Sequence, residues 1–478
     1  MKSELVFVVA LCALVLAGCR VGPKHVAPAP VVELDRFASG ATEPVGDLAQ
    51  WWRAFEDPQL DALVAAALAA NHDLAAAAER VASARAVAAA ARGANEPALA
   101  IGAERQWLRA TSEAAGLAGA GVSAGLVERR QDAYRVGIDA SWELDLFGAV
   151  QRRAESAAAR ADLAEAQLHG VRLVVAAQTA THYLSARFLE QRLDVAERLV
   201  ANLAAHVERS AAAVASGLAT SDELEAAKLA LARARATPPA LQSAIAAERH
   251  ALAVLVGESP SHFTLAAATD ATSAPHVPRA IALGVPGELL RRRPDLVAAE
   301  REVAVAAAAL GVATADLYPR LVLLGGVGFD AQSADELVGR DALAGFVGPA
   351  LTLPLLQGGA LRRRVDAARA EHRAAALEFQ GALLAALADV ESAAASYRAD
   401  LERIEHATAA EAAAAVALRT NEERRASGLV DTRAVLTAER EHLSASDTLA
   451  AANGAAATSA ARLWKALGGG SAFEPAAL

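Results

Sequence analysis

From Tyr134 to Leu146 the chain alternates without a break. Tyr134, Val136, Ile138, Ala140, Trp142, Leu144 and Leu146 hold one parity, and Arg135, Gly137, Asp139, Ser141, Glu143 and Asp145 the other. A period of two over 13 residues predicts a strand with one apolar and one wet face. Leu99, Ile101 and Ala103 begin a weaker partner, and the Gly/Ala/Ser-rich residues 109–131 form the loop between the two. The pattern returns later. Leu321, Leu323, Val327 and Phe329 mark a third strand, and Leu343, Val347, Leu351, Leu353 and Leu355 a fourth. Pro349 and Pro354 fit poorly in a ladder, so the fourth strand is the least secure.

Elsewhere the period is helical. Asp57-Pro58 offers an N-cap and a first-turn proline, and the apolar stripe through Leu60, Leu63, Val64 and Leu68 runs on to about Arg92, broken at Asn71-His72. Residues 149–215 and 360–426 contain no proline and only one internal glycine each, Gly170 and Gly381. As continuous helices each would extend ~100 Å at 1.5 Å per residue, which no compact domain needs. Each stops at Ser-Gly-Leu, with Gly217 or Gly428 placed as a left-handed cap. Return helices follow, capped at Thr220-Ser221-Asp222-Glu223 and at Asp431-Thr432. Pro238-Pro239 predicts a break or kink near the middle of the first.

These elements occur twice. Val136, Gly137, Leu144, Gly148, Arg152 and Arg153 recur 211 residues later as Val347, Gly348, Leu355, Gly359, Arg363 and Arg364, and Ala215-Ser216-Gly217-Leu218 as Ala426-Ser427-Gly428-Leu429. Upstream the offset is 222, pairing Asp73-Leu74 with Asp295-Leu296 and Pro97 with Pro319. One length change of 11 residues therefore separates the copies, in the outer loop of the first strand pair.

Four strands of about ten residues have the length of tilted membrane strands. An open sheet leaves edge N–H and C=O groups unsatisfied in lipid, and closed membrane barrels start at eight strands. Four per chain thus demands oligomerisation; two, three or four chains would all close. The polar parity would then face a wet lumen and the apolar parity lipid.

The N-terminus carries its own address. Lys2 precedes an apolar run of 12 residues, Leu5–Leu16, followed by Leu16-Ala17-Gly18-Cys19. That is a signal-peptide core, too short to span a bilayer, ending in a sequence that resembles a bacterial lipobox. The resemblance implies cleavage before Cys19, acylation of its thiol and, with Arg rather than Asp at residue 20, delivery to the outer membrane. Only Cys12 and Cys19 are present, so the mature chain forms no internal disulfide. The chain is 54% hydrophobic but 4% aromatic because alanine dominates, which suits closely packed helices. A formal charge of −10 and the lack of basic blocks argue against nucleic acid.

Val21-Gly22-Pro23, Trp51-Trp52-x-x-Phe55-x-Asp57-Pro58-x-Leu60, Ser141-Trp142-Glu143-Leu144-Asp145-Leu146-Phe147-Gly148, Arg292-Arg293-Pro294-Asp295-Leu296 and Lys465-Ala466-Leu467-Gly468-Gly469-Gly470 occur in that order. Together they resemble the outer-membrane efflux protein family (TolC-like), in its lipoprotein branch serving tripartite (RND-type) pumps. The resemblance implies a mainly α fold with a membrane β-barrel: a homotrimer whose 12-stranded barrel continues into a helical periplasmic tunnel, with a mixed equatorial collar. It implies a periplasmic adaptor and, through it, an inner-membrane pump as partners, with outer-membrane lipid around the barrel and no cofactor beyond the lipid on Cys19. Gly217, Leu218, Gly428 and Leu429 are then adaptor-contacting tips. Some relatives carry an acidic gating residue nine positions after the second tip glycine. Here Thr437 stands there, leaving Asp431 and Glu439 as the nearest acidic gate candidates.

The expected organisation is a signal peptide at 1–18, a lipidated tether and collar segment at 19–57, and a first repeat at 58–257. That repeat holds a strand pair at 98–146, a long helix at 149–215 and a return helix at 221–257. A connector at 258–290 leads to a second repeat at 291–467, with strands at 320–355 and helices at 360–426 and 432–467; residues 468–478 form a tail. The pattern G-x-S-x-G at residues 121–125 lacks the strand and helix of a nucleophile elbow, the 11 histidines show no H-E-x-x-H, and no metal site or enzyme is expected. Two other readings remain: an outer-membrane channel of a type I-like secretion system, and a lipid-anchored periplasmic coiled-coil scaffold that does not span the membrane.

Overall fold

The computed structural model describes residues 20–30, 37, 48–109, 130–266 and 275–470. The signal peptide, Cys19, the outer loop with the residues 121–125 pattern, and the tail beyond residue 470 lie outside the described residues.

A 3-10 turn at Trp51–Phe55 leads into α1 (Pro58–Ala70) and α2 (His72–Gly93), then β1 (Ala98–Arg109) and β2 (Arg130–Leu144). Next come α3 (Ala149–Ala215), α4 (Ser221–Arg235), α5 (Thr237–Leu255) and α6 (Pro286–Arg292). The second copy contributes α7 (Pro294–Ala315), β3 (Arg320–Ala331), β4 (Leu343–Thr352), α8 (Ala360–Ala426) and α9 (Thr432–Ala466). Several elements of the two copies agree to the residue, whereas β2 and β4 differ in length, 15 against 10 residues. The bounds of α2 and α7, and of β1 and β3, differ by 222; those of α3 and α8 differ by 211.

Local chemistry explains the boundaries. Asp57 accepts from the amides of Gln59 (2.9 Å) and Leu60 (3.3 Å), capping α1. Asn71 accepts from Leu74 N at 3.0 Å and restarts the chain as α2. The break expected at Pro238-Pro239 is present, and two other expectations shift. The first return helix is two helices, and the break falls at Ala236: Pro238 and Pro239 occupy the first turn of α5, where a missing N–H costs nothing. The connector is shorter than residues 258–290, because α6 begins at Pro286. The fourth strand ends at Thr352, which leaves Pro354 outside it; Pro349 stays within, opposite Leu323, on a strand that forms one edge of this chain's sheet.

The chain divides into two compact units. The first comprises residues 1–28, 82–162 and 300–377 and holds the sheet, antiparallel throughout in the order β1-β2-β3-β4. Its helices pack through alanine: Ala88 of α2 meets Ala157 and Ala161 of α3, and Ala159 on another face of α3 meets Ala304 and Val305 of α7. Small side chains let helix axes approach closely. Ion pairs Arg153–Asp316 (3.6 Å) and Arg301–Asp162 (3.9 Å) also tie α3 to α7 and its C-terminal turn.

The second unit comprises residues 29–81, 163–299 and 378–478 and carries the larger core. Trp51 stacks on Trp464 of α9 at 5.2 Å, and Phe55 meets the same ring edge-on at 5.5 Å. Tyr183, Leu184 and Phe188 of α3, Leu383 and Val390 of α8, and Leu289 of α6 complete it. The Tyr183 hydroxyl donates to Asp57 at 2.6 Å, so one carboxylate both caps α1 and holds α3. Arg293, 8% exposed, donates to Ala466 O (3.0 Å) and pairs with Asp295 and Asp389. The Trp-Trp-x-x-Phe segment, the connector and the end of α9 are thus brought together. The four-stranded sheet sets aside the purely helical scaffold.

Candidate conduit wall, tips and tether

The sheet segregates its faces as the alternation predicts. One face aligns Ile101, Ile138 and Val327 in one rung and Ala103, Val136, Phe329 and Leu343 in another. These large apolar side chains are solvent-exposed in the single chain, Ile101 by 81% and Val327 by 53%. The apolar positions from Tyr134 to Leu144 cover about 34 Å of strand at ~3.4 Å per residue. A tilt of about 40° projects that onto about 26 Å, the height of a membrane barrel's apolar band. Arg105 ends the band, lying over the Tyr134 ring at 5.2 Å with Asp132 at 3.8 Å.

The opposite face aligns Glu104, Arg135 and Asp330. Arg135 pairs with Asp139 at 2.7 Å, and Arg320 makes a two-point pair with Glu143 at 2.6 and 3.1 Å. Segregation is imperfect in the second copy. Val322 is paired with Glu143, Leu324 with Ser141, and Phe346 with Gly326, which puts three large apolar side chains on the polar face.

Both tip glycines adopt the left-handed backbone expected of them, with φ of 71° at Gly217 and 73° at Gly428. Each turn closes the same way: Leu218 N donates to Ala213 O and Leu429 N to Arg424 O, both at 2.8 Å. The bonds satisfy the helix ends but leave Leu218 and Leu429 80% and 74% exposed. Two protruding leucines on well-satisfied turns are apolar surface that the fold itself does not use.

The three gate candidates lie near the start of α9 and differ in what they do. Asp431 caps the helix, accepting from Ala434 N at 3.1 Å, and pairs with Arg433. That amide, then Arg433, holds its carboxyl below the usual carboxylate range. Thr437 is exposed. Glu439 is half-buried and accepts from Asn202 of α3 at 2.6 Å; the same amide nitrogen donates to Leu436 O at 3.2 Å. Further along, Arg192 of α3 makes a two-point pair with Asp447 of α9 at 2.8 and 3.2 Å. Asn202, Arg192 and Asp447 were not singled out from sequence. Their partners lie 234 to 255 residues away, and no local period marks them.

The tether is tightly docked from its first described residue. Arg20 pairs with Glu155, Val21 N donates to Phe147 O (3.3 Å), and Arg152 donates to Val21 O (3.4 Å) and Gly22 O (3.1 Å). Gly22, with φ of 88°, lies so near Gly311 of α7 that an added Cβ would stand 2.7 Å from the Gly311 Cα. His25 and Glu300 approach to 2.6 Å.

The sequence model of the outer membrane efflux protein family matches residues 63–258 and 285–469, one stretch per copy of the repeat. Nodulation protein T of Rhizobium leguminosarum bv. viciae is 30% identical over 96% of this chain and 92% of its own. The pyoverdine export outer membrane protein OpmQ of Pseudomonas putida is 32% identical over 88% of each. The solved outer-membrane channel OprN superposes with a TM-score of 0.82 at 31% identity, over 94% of this chain and 99% of that one. The open state of the Neisseria gonorrhoeae MtrE outer membrane channel gives 0.80 at 26% identity, over 95% and 98%. A sheet with one apolar face, two long antiparallel helix pairs and these relatives lead to one conclusion: the chain belongs to the outer membrane efflux protein family and is the outer-membrane channel component of an efflux system.

Proposed function

We propose that three copies of the chain pair β1 of one with β4 of the next, closing a twelve-stranded barrel through which cargo leaves passively. The observation that carries this is the sheet: four strands, one exposed apolar face, one charged face, and two open edges. In lipid, unpaired edge groups cost several kcal/mol each, and joining edge to edge removes that cost. The polar face then lines the lumen and the helices continue it as a periplasmic tunnel.

The tips Gly217-Leu218 and Gly428-Leu429 meet a periplasmic adaptor that couples the channel to an inner-membrane pump, their exposed leucines being the contact. Asp431, Thr437 and Glu439 stand at the constriction, with Glu439 held through Asn202 until the helices part. Cys19 carries the lipid anchor. The cargo is small organic molecules, by analogy with relatives named for pyoverdine export, fusaric acid resistance and toluene efflux. Adaptor and pump select among them.

Unboiled outer-membrane extracts should give a heat-modifiable band whose native mass is three chains, and the adaptor should copurify with it. A monomer with helix-only circular dichroism would overturn the barrel. A trimer that secretes a polypeptide and leaves drug sensitivity unchanged would reassign the cargo.

A further inference from the structure

At the junction of β2 and α3 lies a cavity of about 940 Å³, lined chiefly by Trp142, Leu144, Leu146, Val150, Ala154 and Ala158. Its size falls within the range of cavities that bury most of a small ligand. Several of the polar groups around it are already engaged. Trp142 Nε1 donates to Asn95 O at 2.9 Å, and Asp145 accepts from Gln151 N at 2.8 Å. Glu155 at the rim is shared by Arg20 and Arg152. What remains is a largely apolar hollow, with the side chains of Arg92, Asn95 and Gln151 also in its lining.

A second copy does not cover it by edge pairing. β2 is hydrogen-bonded on both sides, by β1 and β3, and α3 is flanked by α2 and α7. The hollow therefore sits in the interior of one chain's wall, away from the open edges β1 and β4. The tether arrives at this spot. Arg20 reaches the rim carboxylate, and its Cα stands 3.5 Å from where a Cβ on Gly148 would lie. Val21 is bonded to Phe147. Phe147 and Gly148 are the residues between the lining side chains Leu146 and Val150. Cys19 immediately precedes Arg20 in the chain.

We infer that this hollow seats an acyl chain of the lipid on Cys19, so that the anchor packs against its own channel wall. The inference rests on acylation of Cys19, proposed above. The Arg20–Glu155 pair and the Arg152 bonds to Val21 and Gly22 aim the tether, and the apolar lining takes the chain. The anchor then fixes where its protomer sits at the base of the barrel, besides holding it to the membrane.

The test uses the full-length protein in cells fed a fatty acid bearing a diazirine, irradiated in the membrane, purified and digested for mass spectrometry. The mass of the Cys19 peptide reports acylation, and an unmodified Cys19 overturns both readings at once. With Cys19 acylated, the expected result is a cross-link joining the Cys19 peptide to the peptide spanning residues 136–152. Cross-links confined to bulk lipid or to other parts of the protein overturn the seat alone. Ala154→Trp, which fills the hollow, should lower that cross-link several-fold with acylation intact. Glu155→Gln, which keeps the lining, should lower it by up to about fivefold through loss of a half-exposed ion pair. Unchanged yields in both variants refute the seat. Cys19→Ser, delivered behind a non-lipoprotein signal, should lose all labelling of residues 136–152. Persistent labelling there would mean that free phospholipid fills the hollow instead.

Discussion

Asn202→Ala should open the channel. Asn202 is 6% exposed, and its amide ties α3 to α9 by donating to Glu439 at 2.6 Å and Leu436 O at 3.2 Å. A hydrogen bond from a buried donor to a charged acceptor contributes about 1.5–3 kcal/mol. Glu439 is half-buried and regains some water on release, which favours the lower end, about 1.5 kcal/mol per chain. In the proposed trimer, three chains moving together lose about 4.5 kcal/mol, a shift of more than a thousandfold in the ratio of closed to open states. A channel closed 99% of the time would then be mostly open. Single-channel recording in planar bilayers reads this as a rise in mean conductance, and cells should become sensitive to a polar antibiotic too large for the closed tip. Glu439→Ala should have the same effect, and the double variant should add little, because the partners act on one bond. Conductance at the wild-type level in both single variants, or effects that add in full, would refute the latch.

Three further outcomes follow from the same geometry. Asp431→Ala should cost about 1 kcal/mol at the start of α9. Because the Asp431 pKa is depressed, its contribution is complete above the ordinary carboxylate value of about 3.9 and lost as pH falls through the lower folded value. Hydrogen exchange at Ala434 should accelerate in acid in the wild type, with no such transition in the variant. Trp464→Ala should remove the ring that both Trp51 and Phe55 pack against, costing about 3–5 kcal/mol and lowering the temperature at which the native oligomer dissociates on a gel. Tyr183→Phe should cost about 1.5–3 kcal/mol, since the hydroxyl, whose pKa burial raises, donates to Asp57; thermal unfolding at neutral pH measures it.

Much of this was legible because the signals are local and occur twice. The alternation at residues 134–146 became β2 with its pairing faces in the expected parity, and the proline-free stretches became helices of 67 residues each. Caps at Asp57, Thr220 and Asp431 are likewise written in a few neighbouring residues. The break in the first return helix was likewise written in Pro238-Pro239; it falls at Ala236, which leaves both prolines in the first turn of α5. The tether groove and the α3–α9 lacing were not legible at all. Arg152 grips Val21 and Gly22 across about 130 residues, and Asn202 meets Glu439 across 237; such pairs exist only once the helices have packed.

Those long-range contacts also show where two copies of one backbone parted. Gly311 makes room for Gly22 beside Arg152, but the position equivalent to Gly311 in the first copy is Ala89, whose Cβ would close that approach. The equivalent of Arg152 is Arg363, whose side chain is 87% exposed and pairs only loosely, at 3.8 Å, with Asp366 of its own helix. Asn202 and Glu439 correspond to Ala413 and Lys228, which cannot form the same bond, and Arg403, the counterpart of Arg192, pairs at 3.0 Å with Asp400 on its own helix. The bounds of α2 and α7, β1 and β3, and α3 and α8 match to the residue while these side chains do not. Backbone geometry is therefore what the barrel and helix pairs demand of both copies. The polar bonds, free of that demand, concentrate on α3: its start takes the tether and its far part is laced to α9. If the tip moves as proposed while the wall holds, unequal copies serve it, because identical lacing on every helix pair would resist opening equally everywhere.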